Sequence, residues 1–334
     1  MGAEGEAPPA PSETPETPET LGGVGESAAL ARILPRLPAG DATLTGPGDD
    51  AAVLAVPDGR LVITTDTMVH GPDFRLAWST PYDLGWKAAA TNLADVAAMG
   101  ARPTALVVAL AAPPSTSVAF LERLADGLRE GCAALAPGCG VVGGDLTSSR
   151  VLTIAVTAVG ELDGRAPVLR SGARPGDAVA VAGDLGSAAR GIAALFAEAV
   201  DASGEPDAEL ADRIRDRPDV VAQLRPSPPI AAGVDAAAAG ATAMLDVSDG
   251  LLLDARRLAA ASGVRIDLDR TDGAELHGGE AHALLAAFPP DAPLPPGFRA
   301  IGRVLEGAGV TVEGEAPAGR GGWDPYADWD GATG

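Results

Sequence analysis

The sequence predicts a mixed α/β protein with mixed sheets and two domains behind an N-terminal tail. Its 334 residues suggest two domains or one large one, and a hydrophobic content of 46% is ample for a core. Segments rich in β-branched residues alternate with amphipathic segments, a pattern typical of strands and helices in mixed α/β domains. We expect a disordered acidic tail over residues 1–22, an N-terminal domain over 23–165 and a C-terminal domain over 166–334.

Composition and pattern delimit the tail and the elements of the N-terminal domain. Residues 12–20 repeat Glu-Thr-Pro, an acidic and proline-rich composition that cannot bury enough apolar surface to order itself. Pro81 suits the start of a long helix, and Gly100 suits its end. The predicted helices span about residues 27–37, 81–100 and 116–136, and the predicted strands span 53–56, 61–66, 104–112 and 151–160.

The C-terminal domain opens with a turn, a strand, a glycine turn and a helix over residues 170–196. Helices fill the middle of this domain, and the proline-rich segment 225–229 marks a break. A strand with a sharp turn follows at 243–250, then a helix over 250–261 and a strand over 264–269. We assign no further strand or helix to the Gly- and Pro-rich remainder.

The charge balance excludes two classes of partner. The chain has 24 basic and 46 acidic residues, a formal net charge of −22, so its surface repels nucleic-acid phosphates and anionic lipid. A polyanionic ligand would therefore need a divalent cation as intermediary. The N-terminal segment lacks the basic start and apolar run of a signal peptide, and no apolar stretch reaches membrane-spanning length. We expect a cytoplasmic protein.

Two scarce residue types narrow the chemistry further. Lys87 is the only lysine, and because it follows Trp86 rather than glycine it cannot belong to a Walker-type phosphate loop. Cys132 and Cys139 are too few for a disulfide framework or a four-cysteine zinc site, so we expect buried, reduced thiols.

Five short acidic segments carry the strongest chemical signal. Each alone is ordinary turn or N-cap chemistry, but three of the five lie at predicted strand ends, where open α/β sheets place ligands. Their carboxylates and hydroxyls together suit Mg²⁺, which usually also takes substrate phosphates as ligands. We therefore predict a metal-bridged phosphate site built from GPGDD (46–50), TTDT (64–67), NLAD (92–95), GGD (143–145) and DVSD (246–249).

Three other segments leave two interpretations open. The segment 183–191 follows a strand and opens a helix, so its amides suit an anion, but a tight turn without a ligand fits equally well. Trp323, Tyr326 and Trp329 suit either a tail docked on the core or a stacking wall for a flat or cationic ring. Glu280 lies in a glycine turn, where a solvated loop carboxylate is the ordinary interpretation.

A series of motifs then occurs in a recognisable order: GPGDDAAVL, TTDTMVHGPDF, WKAAATNLADVAAMGA, VVGGDLTSS, LRSGARPGD, LRPSPP, LDVSDGLLLDARRLAAASG and HGGEAHALL. From about residue 23 to 330, the chain resembles the thiamine-monophosphate kinase family, in the superfamily of aminoimidazole ribonucleotide synthetase. The resemblance implies the two-domain fold of that superfamily and ATP-dependent phosphorylation of thiamine monophosphate to thiamine diphosphate by direct in-line transfer. It also implies several Mg²⁺ ions, ATP as co-substrate, and a homodimer formed through the N-terminal sheets.

The resemblance further implies roles for individual residues. Positions that contact ATP in the family are occupied by Gly144, Arg170 and Ser248, and Glu280 with the aromatic residues Trp323 and Tyr326 matches the thiamine side of the site. The positions that bind magnesium in the family are occupied by Asp50, Thr64, Thr65, Asp66, Asp95, Asp145, Asp246 and Asp249.

Two departures from the family pattern lie on the substrate side. The substrate loop has Asp73 before Phe74 where the family usually has histidine, and the usual Gly-Gly-Glu-Asp ends in Ala281. They leave two alternatives to an active kinase open. One is a nucleotide- and magnesium-binding homologue that has lost catalysis, and the other is a superfamily member with a different phosphate acceptor.

Overall fold

Two large β-sheets, one from each half of the chain, form the framework of the computed structural model, which describes residues 19–47, 51–324 and 328. The strands of the four-stranded sheet end at Glu161, and those of the six-stranded sheet begin at Ala178. Helices pack against both sheets, so the predicted mixed α/β fold is confirmed.

The N-terminal half combines helices with the four-stranded sheet and a small hairpin. Its helices are α1 (Leu21–Val24), α2 (Glu26–Ile33), a 3₁₀ helix (Leu34–Arg36), α3 (Pro81–Ala98) and α4 (Val118–Leu135). Its strands are β1 (Thr43–Thr45), β2 (Val53–Leu54), β3 (Val62–Val69), β4 (Arg102–Ala112), β5 (Gly140–Ser148) and β6 (Thr153–Glu161). The sheet order is β3-β6-β4-β5, in which only β4 and β5 are parallel, and β1 pairs with β2.

Local side-chain chemistry determines the start of α3, the helix that carries Lys87 and Asp95 into the site. The Thr80 hydroxyl accepts a hydrogen bond from the Asp83 amide (3.2 Å), and the Asp83 carboxylate accepts one from the Thr80 amide (2.9 Å). This capping box satisfies two backbone donors that the first helical turn leaves without partners. Pro81 at the first helical position adds a preset backbone angle, so α3 begins where the sequence predicts.

Two glycines let α3 and α4 cross at close range. A Cβ atom added to Gly85 would lie 2.0 Å from the Leu124 carbonyl oxygen, and one added to Gly127 would lie 2.1 Å from the Tyr82 carbonyl oxygen. The backbone of each helix therefore packs directly against a glycine of the other helix, and no larger side chain fits at either position.

Replacing Gly85 by alanine should loosen this crossing. We expect Gly85→Ala to lower the free energy of unfolding by about 1–3 kcal/mol, because overpacking forces the two helices apart. Urea denaturation followed by circular dichroism measures the loss. Gly273→Ala is the matched control, since an added Cβ at Gly273 meets nothing within 4 Å. Equal stability of the two variants would contradict the close crossing.

The C-terminal half forms the six-stranded sheet, in the order β12-β9-β11-β7-β10-β8, in which only β12 and β9 are parallel. Its strands are β7 (Ala178–Ala182), β8 (Ala243–Val247), β9 (Arg265–Leu268), β10 (Ala283–Phe288), β11 (Phe298–Leu305) and β12 (Gly309–Val312). Its helices are α5 (Ser187–Glu198), α6 (Ala208–Ile214), α7 (Pro218–Leu224), α8 (Ile230–Ala238), α9 (Leu251–Ser262) and α10 (Gly273–His277). Met244, Leu284 and Phe288 of this sheet join the same buried cluster as α3, so the two halves share a core.

Several strands lie where the sequence pattern predicts none, namely β1, β5, β10, β11 and β12. Two adjacent glycines and Asp145 interrupt the apolar pattern of β5, so its pairing with β4 is decided by tertiary contacts. Every residue of β10 is buried and none is β-branched, which removes both the alternation and the composition that mark a strand.

The first described residues also differ from the prediction. Helix α1 begins inside the segment 1–22 that composition assigns to the tail. The amides of Leu21 and Gly22 donate to the carbonyls of Thr116 (2.9 Å) and Pro114 (2.8 Å), and these bonds attach the helix to the segment before α4.

One face of the four-stranded sheet stays open within the described part of the chain. Cross-strand pairing places one residue of each neighbouring strand side by side on this open sheet face, while α3 and α4 cover the other face. The hairpin of β1 and β2 covers only one end of it, through Ala52 and Leu54. Ile63 is 62% exposed there and Val107 is 37% exposed. The open sheet face consists of Ile63, Thr65, Thr67, Val107, Ala109, Asp145 and Thr157.

Two further observations concern the cysteines and the capacity of the helices to span a membrane. Cys132 and Cys139 are buried free thiols, as predicted. None of the helices in the described residues combines the length and the apolar character needed to cross a bilayer.

Candidate active site

A cleft of about 1480 Å³ is lined by β3 and α3 from the N-terminal half and by β8 and the segment 277–282 from the C-terminal half. It brings together most of the residues that the sequence predicts for the site. The predicted residues that line it are Thr64, Asp66, Asp73, Asp95, Arg170, Asp246, Ser248, Asp249, Glu280 and Trp323.

The remaining predicted residues lie elsewhere. Thr65 and Asp145 are on the open sheet face, because successive side chains of a strand point to opposite faces and Asp66 points toward α3. Gly144 does not line the cleft, and an added Cβ there would lie 1.9 Å from the Val108 carbonyl oxygen. Asp50 and Tyr326 lie outside the described residues.

Four aspartates, Asp66, Asp95, Asp246 and Asp249, form a carboxylate cluster along the cleft. Burial, with the negative charges of Asp246 and Asp66, raises the pKa of Asp95 to about 7. Burial likewise raises the pKa of Asp66, and the charge of Asp246 adds to that rise. The Thr64 hydroxyl donates to Asp95 Oδ2 at 3.0 Å, which only partly offsets the repulsion.

This uncompensated negative charge fits a hard divalent cation. The donors are carboxylate and hydroxyl oxygens, the ligands that Mg²⁺ prefers. Among the described residues, however, no three acidic, histidine or cysteine side chains stand close enough to hold a metal ion by themselves. The donor set therefore suits an ion that takes part of its coordination from substrate phosphates.

A network at the start of α9 holds Asp249 and the turn before it. The Asp254 carboxylate accepts hydrogen bonds from the amides of Asp249 (3.1 Å) and Gly250 (3.2 Å). Arg257 donates to the carboxylates of both Asp249 and Asp254, each at 2.6 Å. Burial raises the pKa of Asp254 to about 6, while the nearby Arg257 lowers it. Asp254 and Arg257 were not among the predicted site residues, although an acidic residue in the first turn of a helix is a sign that the sequence itself carries.

His282 is a third site residue that the sequence patterns did not indicate. Its Nδ1 lies 3.4 Å from Asp246 Oδ2, and both side chains are almost fully buried. Burial alone lowers the pKa of His282, but the contact with Asp246 and the charge of Glu280 outweigh it and raise the pKa. Glu280 and His282 both have positive φ, 64° and 49°, which is uncommon outside glycine. Their amides donate to the carbonyls of Ser248 (2.6 Å) and Val247 (2.8 Å), which hold this turn against the end of β8.

Asp73, Lys87 and Glu280 form what we call the acceptor end of the cleft. Lys87 Nζ makes an ion pair with Glu280 Oε2. Asp73 Oδ2 accepts a hydrogen bond from the Val69 amide at 2.7 Å, so this carboxylate stabilises its own loop. Burial raises the pKa of Asp73, against the lowering effect of that hydrogen bond. Trp323 also lines the cleft, and its amide donates to the Asp249 carbonyl at 2.9 Å.

Comparison with known proteins agrees with this geometry. Residues 48–162 match the family model of the AIR synthase related protein, N-terminal domain. The N-terminal half of the chain thus contains a domain of the AIR synthase-related class. The chain is 46% identical over 330 residues to thiamine-monophosphate kinase of Mycobacterium tuberculosis, a match that covers 92% of this chain and 93% of that protein. It belongs to the thiamine-monophosphate kinase family.

Solved structures are similar as well. Thiamine monophosphate kinase from Aquifex aeolicus superposes with a TM-score of 0.67 at 32% identity, over 78% of this chain and 90% of that chain. AaThiL complexed with AMPPCP and TMP gives a TM-score of 0.68 at 32% identity, over 82% of this chain and 90% of that chain.

Proposed function

We propose that this protein transfers the terminal phosphoryl group of ATP to the phosphate of thiamine monophosphate, giving thiamine diphosphate and ADP. The carboxylate cluster is the observation that carries the proposal. Phosphoryl transfer depends on charge neutralisation and in-line positioning more than on a covalent intermediate. A cleft with clustered aspartates fits that requirement, and a related structure was solved with AMPPCP and TMP.

The residues of the cleft divide between two phosphate-bearing substrates. We assign Arg170 and Ser248 to ATP, and Glu280 and Trp323 to the thiamine side, as the family resemblance implies. The carboxylate cluster and Thr64 would hold Mg²⁺, which when bound supplies charge neutralisation for the transferred group. Arg257 and Asp254 keep Asp249 in place, and His282 keeps Asp246 in place. The reaction would run in the cytoplasm, where ATP and Mg²⁺ are available.

The substitution at the substrate loop is compatible with this activity. A carboxylate at position 73 would repel the acceptor phosphate if it faced the cleft freely. The Asp73 carboxylate is instead engaged by the Val69 amide, and Lys87 lies within electrostatic reach of it. This arrangement favours an active kinase over a homologue that has lost catalysis.

The proposed reaction is tested by incubating purified protein with ATP, Mg²⁺ and thiamine monophosphate. We expect ADP release together with thiamine diphosphate, identified by chromatography, and we expect both to disappear when EDTA removes the metal. Folded protein that binds ATP but forms no thiamine diphosphate would contradict the proposal and indicate another acceptor. Product formation that survives EDTA would contradict the assignment of the carboxylate cluster.

We also propose that the boundary between the two domains lies near residue 165, between the last strand of one sheet and the first strand of the other.

We further propose that two copies of the chain associate through the open sheet face. A broad, uncovered sheet surface that exposes Ile63 and Val107 is unusual for a monomer, because exposed apolar side chains grouped on one surface mark interaction sites. In such a dimer, Thr65 and Asp145 would lie at the interface rather than in the cleft of their own chain.

A further inference from the structure

Lys87 joins the two halves of the chain at the acceptor end. Its Nζ pairs with Glu280 Oε2 across 193 positions of sequence, linking α3 to the turn that follows α10. The Lys87 side chain is only 7% exposed, so its charge is almost fully withdrawn from water. A buried ammonium is costly unless it is well partnered, and its position therefore needs an explanation.

The type of cation is also informative. Of the 24 basic residues in the chain, Lys87 alone is lysine and the other 23 are arginine. An ammonium is a compact point charge with three donors, whereas a guanidinium needs a planar fork of acceptors. Gln223, with its amide oriented to donate to the Ala188 carbonyl (3.1 Å), accepts from Lys87 Nζ at 3.2 Å. Lys87 Nζ thus faces two acceptors, Glu280 Oε2 and the side-chain oxygen of Gln223, an arrangement that suits a compact ammonium better than a planar guanidinium.

Glu280 is held by both its backbone and its side chain. Its amide donates to the Ser248 carbonyl and its φ is positive, which fixes the direction in which the side chain leaves the turn. Burial raises the pKa of Glu280, but the charges of Lys87 and His282 and the hydrogen bond from Lys87 together outweigh it, so the pKa stays below its usual value. Lys87 engages one carboxylate oxygen, and 40% of the Glu280 side chain remains exposed and can meet a ligand.

We propose that Lys87 is a positioning residue that orients the Glu280 carboxylate at the acceptor end and thereby sets the affinity for an acceptor with a cationic ring. This inference rests on the proposed function, since thiamine monophosphate carries a positively charged thiazolium ring. A fixed carboxylate attracts such a ring more strongly than a mobile one, because no side-chain entropy is lost on binding. Lys87 acts through Glu280 and does not itself take part in the transfer.

The experiment compares Lys87→Met, Glu280→Gln and the double variant. We expect each single variant to raise the KM for thiamine monophosphate by about 10- to 100-fold, the range for losing a charged hydrogen bond. The KM for ATP should stay near the wild-type value. Calorimetric titration with thiamine monophosphate alone should show the same loss of affinity without turnover. The double variant should bind about as weakly as Glu280→Gln alone, because Lys87 has lost its direct ion-pair partner once residue 280 is neutral and reaches Asp73 only through its charge.

Two controls separate positioning from general stability. Arg102→Met breaks an ion pair outside the cleft, with Glu161 at 2.8 Å, and should lower the melting temperature without a selective change in either KM. Lys87→Arg keeps the charge in a bulkier form and should restore part of the affinity lost in Lys87→Met. Equal changes in both KM values, or additive effects in the double variant, would overturn the proposal.

The same measurements distinguish this inference from the proposed function. A wild-type protein that makes no thiamine diphosphate overturns the function, and the acceptor with it, before any variant is compared. If the wild type makes thiamine diphosphate and Lys87→Met keeps the wild-type affinity for thiamine monophosphate, only the proposed role of Lys87 is overturned.

Discussion

Asp95→Asn should abolish most turnover and leave the protein at least as stable as the wild type. Asp95 belongs to the carboxylate cluster, so its loss should lower kcat by about 10²- to 10³-fold, as when a single electrostatic group is removed from a transition-state site. The amide oxygen of the new side chain can still accept the hydrogen bond from Thr64, so we expect the variant to stay folded. Steady-state kinetics and thermal melting measure the two effects.

The expected stability follows from the direction of the pKa shift. The pKa of Asp95 is raised from 3.8 to about 7 in the folded protein, so the folded state binds a proton more readily than the unfolded state between these values. The contribution of Asp95 to the free energy of unfolding therefore falls as pH rises from about 4 to about 7. At pH 8 in EDTA the ionised carboxylate opposes folding, and asparagine removes that cost. We expect the melting temperature to stay the same or rise by about 2–4 °C.

Added Mg²⁺ provides the discriminating comparison. With ATP present, the ion should raise the melting temperature of the wild type more than that of Asp95→Asn, because the variant has lost one carboxylate that favours it. Asp291→Asn, an exposed loop carboxylate outside the cleft, should match the wild type in both kinetics and melting. Turnover of Asp95→Asn at the wild-type rate would remove Asp95 from the site.

The local signals of the sequence were sufficient for the elements that depend on local chemistry. Helix α3 has a capping residue, a proline at its start and a glycine after its end, and its prediction is confirmed. Strands β5 and β10 carry no such signals, because pairing with neighbouring strands and complete burial decide their conformation. Such tertiary effects cannot be read from a local pattern.

The residues of the candidate site also fall into two groups, those that local sequence signals predict and those that only tertiary contacts bring together. Aspartates at strand ends were predictable, since a sheet places the ends of its strands together. The opposite orientation of Thr65 and Asp66 was also readable, because consecutive strand residues point to opposite faces. The pairs Lys87–Glu280 and His282–Asp246 join residues far apart in sequence, and no spacing rule connects them. Only the folded chain shows that these two pairs organise the cleft.

Ile63→Asp should convert the proposed dimer to a monomer. Ile63 lies on the open sheet face and also lines the cleft; it is 62% exposed in the single chain and would be buried against a second copy. An unpaired carboxylate buried in an interface that already holds Asp145 costs several kcal/mol, so the dimer dissociation constant should rise by at least about 10²-fold. Sedimentation velocity over a range of micromolar concentrations measures the change in mass.

The control introduces the same charge at an exposed apolar side chain that does not lie on the open sheet face. Leu76, on the segment between β3 and α3, is 41% exposed, and Leu76→Asp should leave the dimer intact. Val107→Asp, at the centre of the open sheet face, should reproduce the effect of Ile63→Asp, because the two residues belong to the same surface. A wild-type protein that sediments as a monomer at these concentrations would contradict the proposed dimer. Dissociation by Leu76→Asp but not by Ile63→Asp would move the interface to another face of the molecule.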